Sequence, residues 1–106
     1  MAVNRFEVWL VNLDPTIGSE IRKTRPAIIV SPDELNQHLN TVIVVPLTTG
    51  RPYSFRVATR VRGKQGVAAL DQIRTVDKRR LARRVGALDP TTAKDVLAGI
   101  AELFAP

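Results

Sequence analysis

The sequence predicts a mainly β fold with short helices: an SH3-like small barrel or curled antiparallel sheet, packed by a C-terminal helix. Three observations predict it: five or six short apolar segments, tight turn signals between them, and a clear helical signature only at the end of the chain. With 106 residues, the chain is expected to form one domain, 1–106, with its own core and no second lobe.

The first strand, Arg5–Leu13 (RFEVWLVNL), is apolar on both faces and closed by the turn signal Asp14-Pro15-Thr16. After a loop through Gly18, the second strand is Arg25–Ser31 (RPAIIVS). Pro26 cannot donate to a ladder, so it belongs at a strand start or edge, which holds Arg25 at the mouth of the sheet. Ser31 is expected to cap one or two helical turns, with Pro32 in the first helical position and Glu34 completing a capping box. The third strand is Thr41–Thr49, ending at Gly50. In YSFRVATRVR the side chains alternate: Tyr53, Phe55, Val57, Thr59 and Val61 face one way, and Ser54, Arg56, Ala58, Arg60 and Arg62 the other. The segment Gly63–Gly66 (GKQG) reads as a turn into a fifth strand, Val67–Val76, with Asp71 and Gln72 mid-strand on opposite faces. Asp77–Gly86 (DKRRLARRVG) reads as a short helix stopped by Gly86. Asp89 caps the last helix, Pro90 takes its first position, and Ala93, Val96, Leu97, Ile100, Leu103 and Phe104 form its buried stripe.

The chain carries 16 basic and 10 acidic residues, and the excess is concentrated: Arg51–Arg84 holds eleven basic residues against Asp71 and Asp77. Such a field attracts phosphate backbones or acidic protein segments. Several chemistries are excluded by what the chain lacks. Without cysteine there are no disulfides, thiolate nucleophiles or cysteine-ligated zinc, and His38 alone cannot build a two-histidine nuclease or a histidine-rich metal site. The acidic residues show no two-metal spacing and no glycine-rich phosphate loop precedes a helix, so no cofactor and no metal is expected. No apolar run reaches membrane-spanning length and the N-terminus lacks a signal-peptide layout, so the expected location is cytoplasmic, with no membrane partner. The small count of five aromatics argues against an RNA surface built on stacking platforms, which leaves arginines and backbone to do the binding.

The candidate chemistry is a set of strand-end polar groups: Glu20 and Arg25 around the first loop, Thr48 and Thr49 at the end of strand three, and Asp71 with Gln72 in strand five. A purely structural account would pair Arg25 with Glu20 and use both threonines to bond turn backbone.

The blocks LDPTIGSEIRKTRPAIIVS, VVPLTTG and DQIRTVDKRRL, in this order and at compatible spacing, resemble the signature blocks of the MazF/PemK (Kid) toxins, the endoribonucleases of type II toxin–antitoxin systems. The resemblance covers nearly the whole chain and implies one toxin domain of the CcdB/MazF fold. It further implies a homodimer that cuts single-stranded RNA at short sequences without a metal and is blocked by an antitoxin peptide. Arg25 of TRP and Thr48 of PLT match the family's cleavage pair, Glu20 its loop glutamate, and Asp71 an acidic position assigned as base in the Kid/PemK branch. That branch also uses an arginine and a histidine where this chain has Ala69 and Ser19, which favours an Arg25–Thr48 scheme here.

RNA cleaves itself when its 2′-hydroxyl attacks the adjacent phosphorus, leaving a 2′,3′-cyclic phosphate and a 5′-hydroxyl. On this scheme Arg25 clamps the phosphate oxygens, Thr48 orients them, and Glu20 or Asp71 accepts the 2′ proton. RNA-binding and sequence choice are expected from Ile17, Ser19, Arg22 and Lys23 in the loop, with Thr49, Arg56 and Gln72 on neighbouring strands. The basic segment also suits the acidic C-terminal segment of a cognate antitoxin that orders on binding. Two other readings compete: a non-catalytic nucleic-acid-binding barrel, and a CcdB-like gyrase-binding toxin, although this chain ends AELFAP without the terminal tryptophan of that group.

Overall fold

The computed structural model describes residues 2–106. Seven strands form one curled antiparallel sheet: β1 (Glu7–Asn12), β2 (Thr24–Ile29), β3 (Thr41–Thr48), β4 (Arg56–Val61), β5 (Lys64–Ala69), β6 (Arg74–Asp77) and β7 (Leu81–Ala87). The helices are α1 (Asp33–His38) and α2 (Pro90–Leu103). The order across the sheet is β4-β5-β3-β2-β1-β7, and β6 also pairs with β3. One edge of β3 thus serves two strands in succession, β6 along Thr41–Val44 and β5 at Leu47 and Thr48. The two faces of the sheet carry two apolar clusters, one around Val11, Leu13, Ile29 and Val44, the other around Val8, Ile28, Leu70 and Val96.

The first three strands and the last helix lie where their turn and cap signals place them. Asp89 accepts the Thr92 N–H, Pro90 opens α2, and Ala93 and Val96 are buried. Phe104, expected in the buried stripe, lies beyond the last turn and is 69% exposed.

Four further expectations are corrected. Ser31 does not cap α1: its hydroxyl bonds the buried Asn36 side chain and receives the Ile43 N–H, and Pro32 stands at the cap with no capping box from Glu34. The turn after β4 is Arg62–Gly63, not Gly63–Gly66. Both residues have positive φ (51° and 77°), as a two-residue hairpin loop requires, and Lys64 and Gln65 therefore belong to β5. The expected fifth strand is broken at Leu70–Gln72 by a 3-10 turn, because buried Leu70 anchors a corner where the chain steps from the β5 to the β6 position along β3. The segment expected to be helical after Asp77 makes only one 3-10 turn, Lys78–Arg80, before becoming β7. The open edge of β1 supplies a ladder, and tertiary pairing overrides the helix propensity of its arginines, leucine and alanine.

Candidate active site

Arg25 sits at the start of β2 opposite Val11 of β1, with Pro26 opposite Leu10. Its Nε donates to the Arg22 carbonyl at 3.0 Å, which orients the guanidinium, and its terminal nitrogens bond no group among the described residues. Thr48 ends β3, opposite Val67 of β5. Both residues line one cavity of about 360 Å³.

The cavity exists because the sheet curls until its far strands face each other. Val8, Leu10, Arg83 and Val85 contribute from β1 and β7, and Val61, Arg62, Lys64 and Gln65 from the β4–β5 hairpin. Every charged residue lining it is basic: Arg25, Arg62, Lys64 and Arg83. The other cations of the basic segment are mostly committed elsewhere. Arg56 pairs with Asp71, Arg79 with Asp77 and Arg84 with Glu7, while Arg74, Lys78 and Arg80 donate to main-chain carbonyls. Arg62, Lys64 and Arg83 make no such bond among the described residues, so the cavity is where unpaired positive charge collects.

Glu20 and Asp71 do not join Arg25 and Thr48 in this cavity. With Gln72 and Arg74 they line a second groove of about 320 Å³, which takes Pro46 of β3 where the first takes Leu47 and Thr48. Arg25 and Glu20 are not partners: the Glu20 carboxylate accepts the Ile17 N–H at 2.6 Å. Asp71 accepts two hydrogen bonds from Arg56, 2.6 and 2.9 Å, and this holds its carboxyl below the usual carboxylate range. A carboxylate so held is a weak base. Gln72 Oε1 accepts the Ile21 N–H at 3.3 Å and ties the loop to the corner after β5.

The remaining loop residues, Ile17, Ser19, Arg22 and Lys23, are exposed, Ile17 at 83%. Thr49 is exposed at the rim of the Arg25–Thr48 cavity. Thr59, Arg62, Lys64, Gln65 and Arg83 also line that cavity, and none of them is a site residue on the sequence expectation. Strand alternation puts Thr59 on one face with Val57 and Val61, and Arg62, Lys64 and Arg83 belong to the basic segment, but nothing local brings these residues or Gln65 to one cavity. Their convergence depends on the hairpin register and on β7 being a strand.

The fold and this basic, strand-end cavity define a small, curled β-sheet protein with a site suited to an anionic ligand, and comparison with known proteins gives its family. Residues 4–104 match the family described as PemK-like, MazF-like toxin of type II toxin-antitoxin system. The chain belongs to that family of endoribonuclease toxins. It is 37% identical to Endoribonuclease PemK of Escherichia coli over 109 aligned residues, covering 96% of this chain and 82% of the relative. Among solved structures it resembles MazF from Deinococcus radiodurans, with a TM-score of 0.87 at 24% identity over 97% of this chain and 96% of the other. It also resembles an endoribonuclease in complex with its cognate antitoxin from a mycobacterial species, with a TM-score of 0.83 at 28% identity over 99% and 98% of the two chains.

Proposed function

We propose that this toxin, acting as a single domain over the whole chain, cuts single-stranded RNA without a metal, by attack of the RNA's own 2′-hydroxyl. The observation that carries the reading is the shared cavity of Arg25 and Thr48, in which the charged residues are all cations. The 2′-oxygen bonds to phosphorus as the bond from phosphorus to the 5′-oxygen breaks. The 2′ proton leaves to a carboxylate, and water protonates the departing 5′-oxygen. The terminal nitrogens of Arg25 hold the non-bridging oxygens as charge develops, and the Thr48 hydroxyl orients them. Neither carboxylate expected as base lies in that cavity: Asp71 is held ionised and occupied by Arg56, and Glu20, which accepts one backbone N–H, is the less committed of the two.

The reading also includes a homodimer, a cytoplasmic location and inhibition by the acidic C-terminal segment of a cognate antitoxin. The unpaired cations of the cavity support the last of these, and no described helix is long and apolar enough to cross a membrane. Incubating the purified protein with a long defined transcript in excess EDTA tests the reading. Cut ends bearing 2′,3′-cyclic phosphate, abolished by a single 2′-deoxy substitution at the cut, are expected. Salt-sensitive binding of RNA and DNA alike, without cutting, would overturn it in favour of a binding barrel.

A further inference from the structure

Thr59 is only 6% exposed, and its hydroxyl is the one buried side-chain polar atom among the described residues that bonds no protein group. It stands in a wall between two cavities. One holds Arg25 and Thr48; the other, about 630 Å³, reaches Gly50, Pro52, Arg60 and Thr92 on its far side. Thr49, Thr59, Gln65 and Gly66 line both.

The two cavities differ in chemistry. The first has four cations, whereas the second has neutral hydrogen-bonding groups and a single charge, Arg60. Gly66, the register partner of Thr59, packs closely in this wall: a Cβ there would lie 3.3 Å from the Thr48 carbonyl oxygen and 3.6 Å from the Thr59 hydroxyl. A nucleotide has the same two halves, an anionic phosphate and a neutral base with polar edges. Burying a hydroxyl without a partner is unfavourable, and a ligand that reaches it offsets that cost.

We propose that the second cavity takes the base of the nucleotide next to the phosphate held by Arg25 and Thr48, with the Thr59 hydroxyl and the Gln65 amide reading the base's polar edge. The placement of the phosphate rests on the nuclease reading above. Arg56 and Gln72, expected from sequence to contribute to this selection, are engaged by Asp71 and the Ile21 N–H, which leaves Thr49, Thr59 and Gln65 as the wall's polar side chains that bond no protein group among the described residues, with the Thr59 hydroxyl the buried one. A site that hydrogen-bonds its ligand rejects analogues lacking the matching group more strongly than an apolar pocket does.

Thr59→Val keeps the side chain's shape and removes the hydroxyl. Cut ends mapped on a long transcript are expected to show base preference at one position beside the cut falling by about tenfold. The Tm should hold or rise, because no protein hydrogen bond is lost. Gln65→Ala, an exposed substitution, should relax the same position. Unchanged preference in both variants, or a lowered Tm with unchanged preference, overturns the proposal. If wild type cuts no RNA, the nuclease reading fails separately, and binding of 2′-O-methylated A, C, G and U homopolymers reads the subsite instead. Wild type should then rank the four unequally and Thr59→Val should flatten the ranking; equal binding by wild type, or the same ranking in the variant, overturns it.

Discussion

Gly86 of β7 lies directly against Val61 of β4: a Cβ on the glycine would come within 2.7 Å of Val61 Cγ1. These strands stand at opposite ends of the sheet order and share no ladder, so the curl closes by this contact. The cavity holding Arg25 and Thr48 lies beside it, lined by Val61 and Val85. Gly86→Ala is expected to push the hairpin from β7 and to destabilise by about 1–3 kcal/mol, as overpacking does. Denaturant unfolding checks the stability; no loss would mean that the strands separate freely.

Gly99 performs a similar service for the helix. A Cβ there would run into Leu70 Cδ1, on the side chain that anchors the corner after β5. Helix propensity alone favours alanine over glycine by about 1 kcal/mol, so an isolated helix would gain from Gly99→Ala. Here the clash is expected to win, with a net lower Tm by thermal melting and a looser α2.

The Arg56–Asp71 pair sets an acid-range prediction. Asp71 titrates below the ordinary carboxylate value chiefly because Arg56 hydrogen-bonds it. Its contribution to stability is therefore present above the unfolded carboxylate's pKa and is lost as pH falls through the lower folded value. The Asp71 side chain is 42% exposed, which limits the pair to about 1 kcal/mol or less. Asp71→Asn should lower stability slightly at neutral pH and flatten its acid dependence. Were Asp71 the general base, cleavage would collapse in Asp71→Asn; the account expects it to persist.

Arg83 and Lys64 reach the cavity from opposite sides of the curl and make no hydrogen bond or ion pair among the described residues. Arg83→Ala and Lys64→Ala should each weaken RNA binding without altering sequence preference. Each should also reduce the slope of log affinity against log salt by about 0.7, the value for one phosphate contact on a single strand. An unchanged slope would place these residues off the RNA path.

The sheet's first half was legible because its signals are local: an apolar run, a proline at a strand start, a glycine after a threonine pair. The C-terminal helix was legible for the same reason, through Asp89 and Pro90. Leu70–Gln72 and Leu81–Ala87 are not legible locally, because their conformations depend on partners far along the chain. Nothing within VAALDQIRTV shows that β3 will accept β5 and β6 in turn, and nothing within LARRVGA shows that β1 has an open edge. The candidate site divides the same way. Arg25 and Thr48 stand in recognisable blocks, whereas Thr59, Gln65 and Arg83 meet them only through the curl.

The central claim is that Arg25 holds the phosphate as it becomes five-coordinate. The rate of single-stranded RNA cleavage by Arg25→Ala in excess EDTA tests it most directly, with folding confirmed by an unchanged Tm. The account predicts a fall of at least about 10²–10³-fold, the effect of removing one preorganised donor to developing negative charge. Cleavage at the wild-type rate would contradict it.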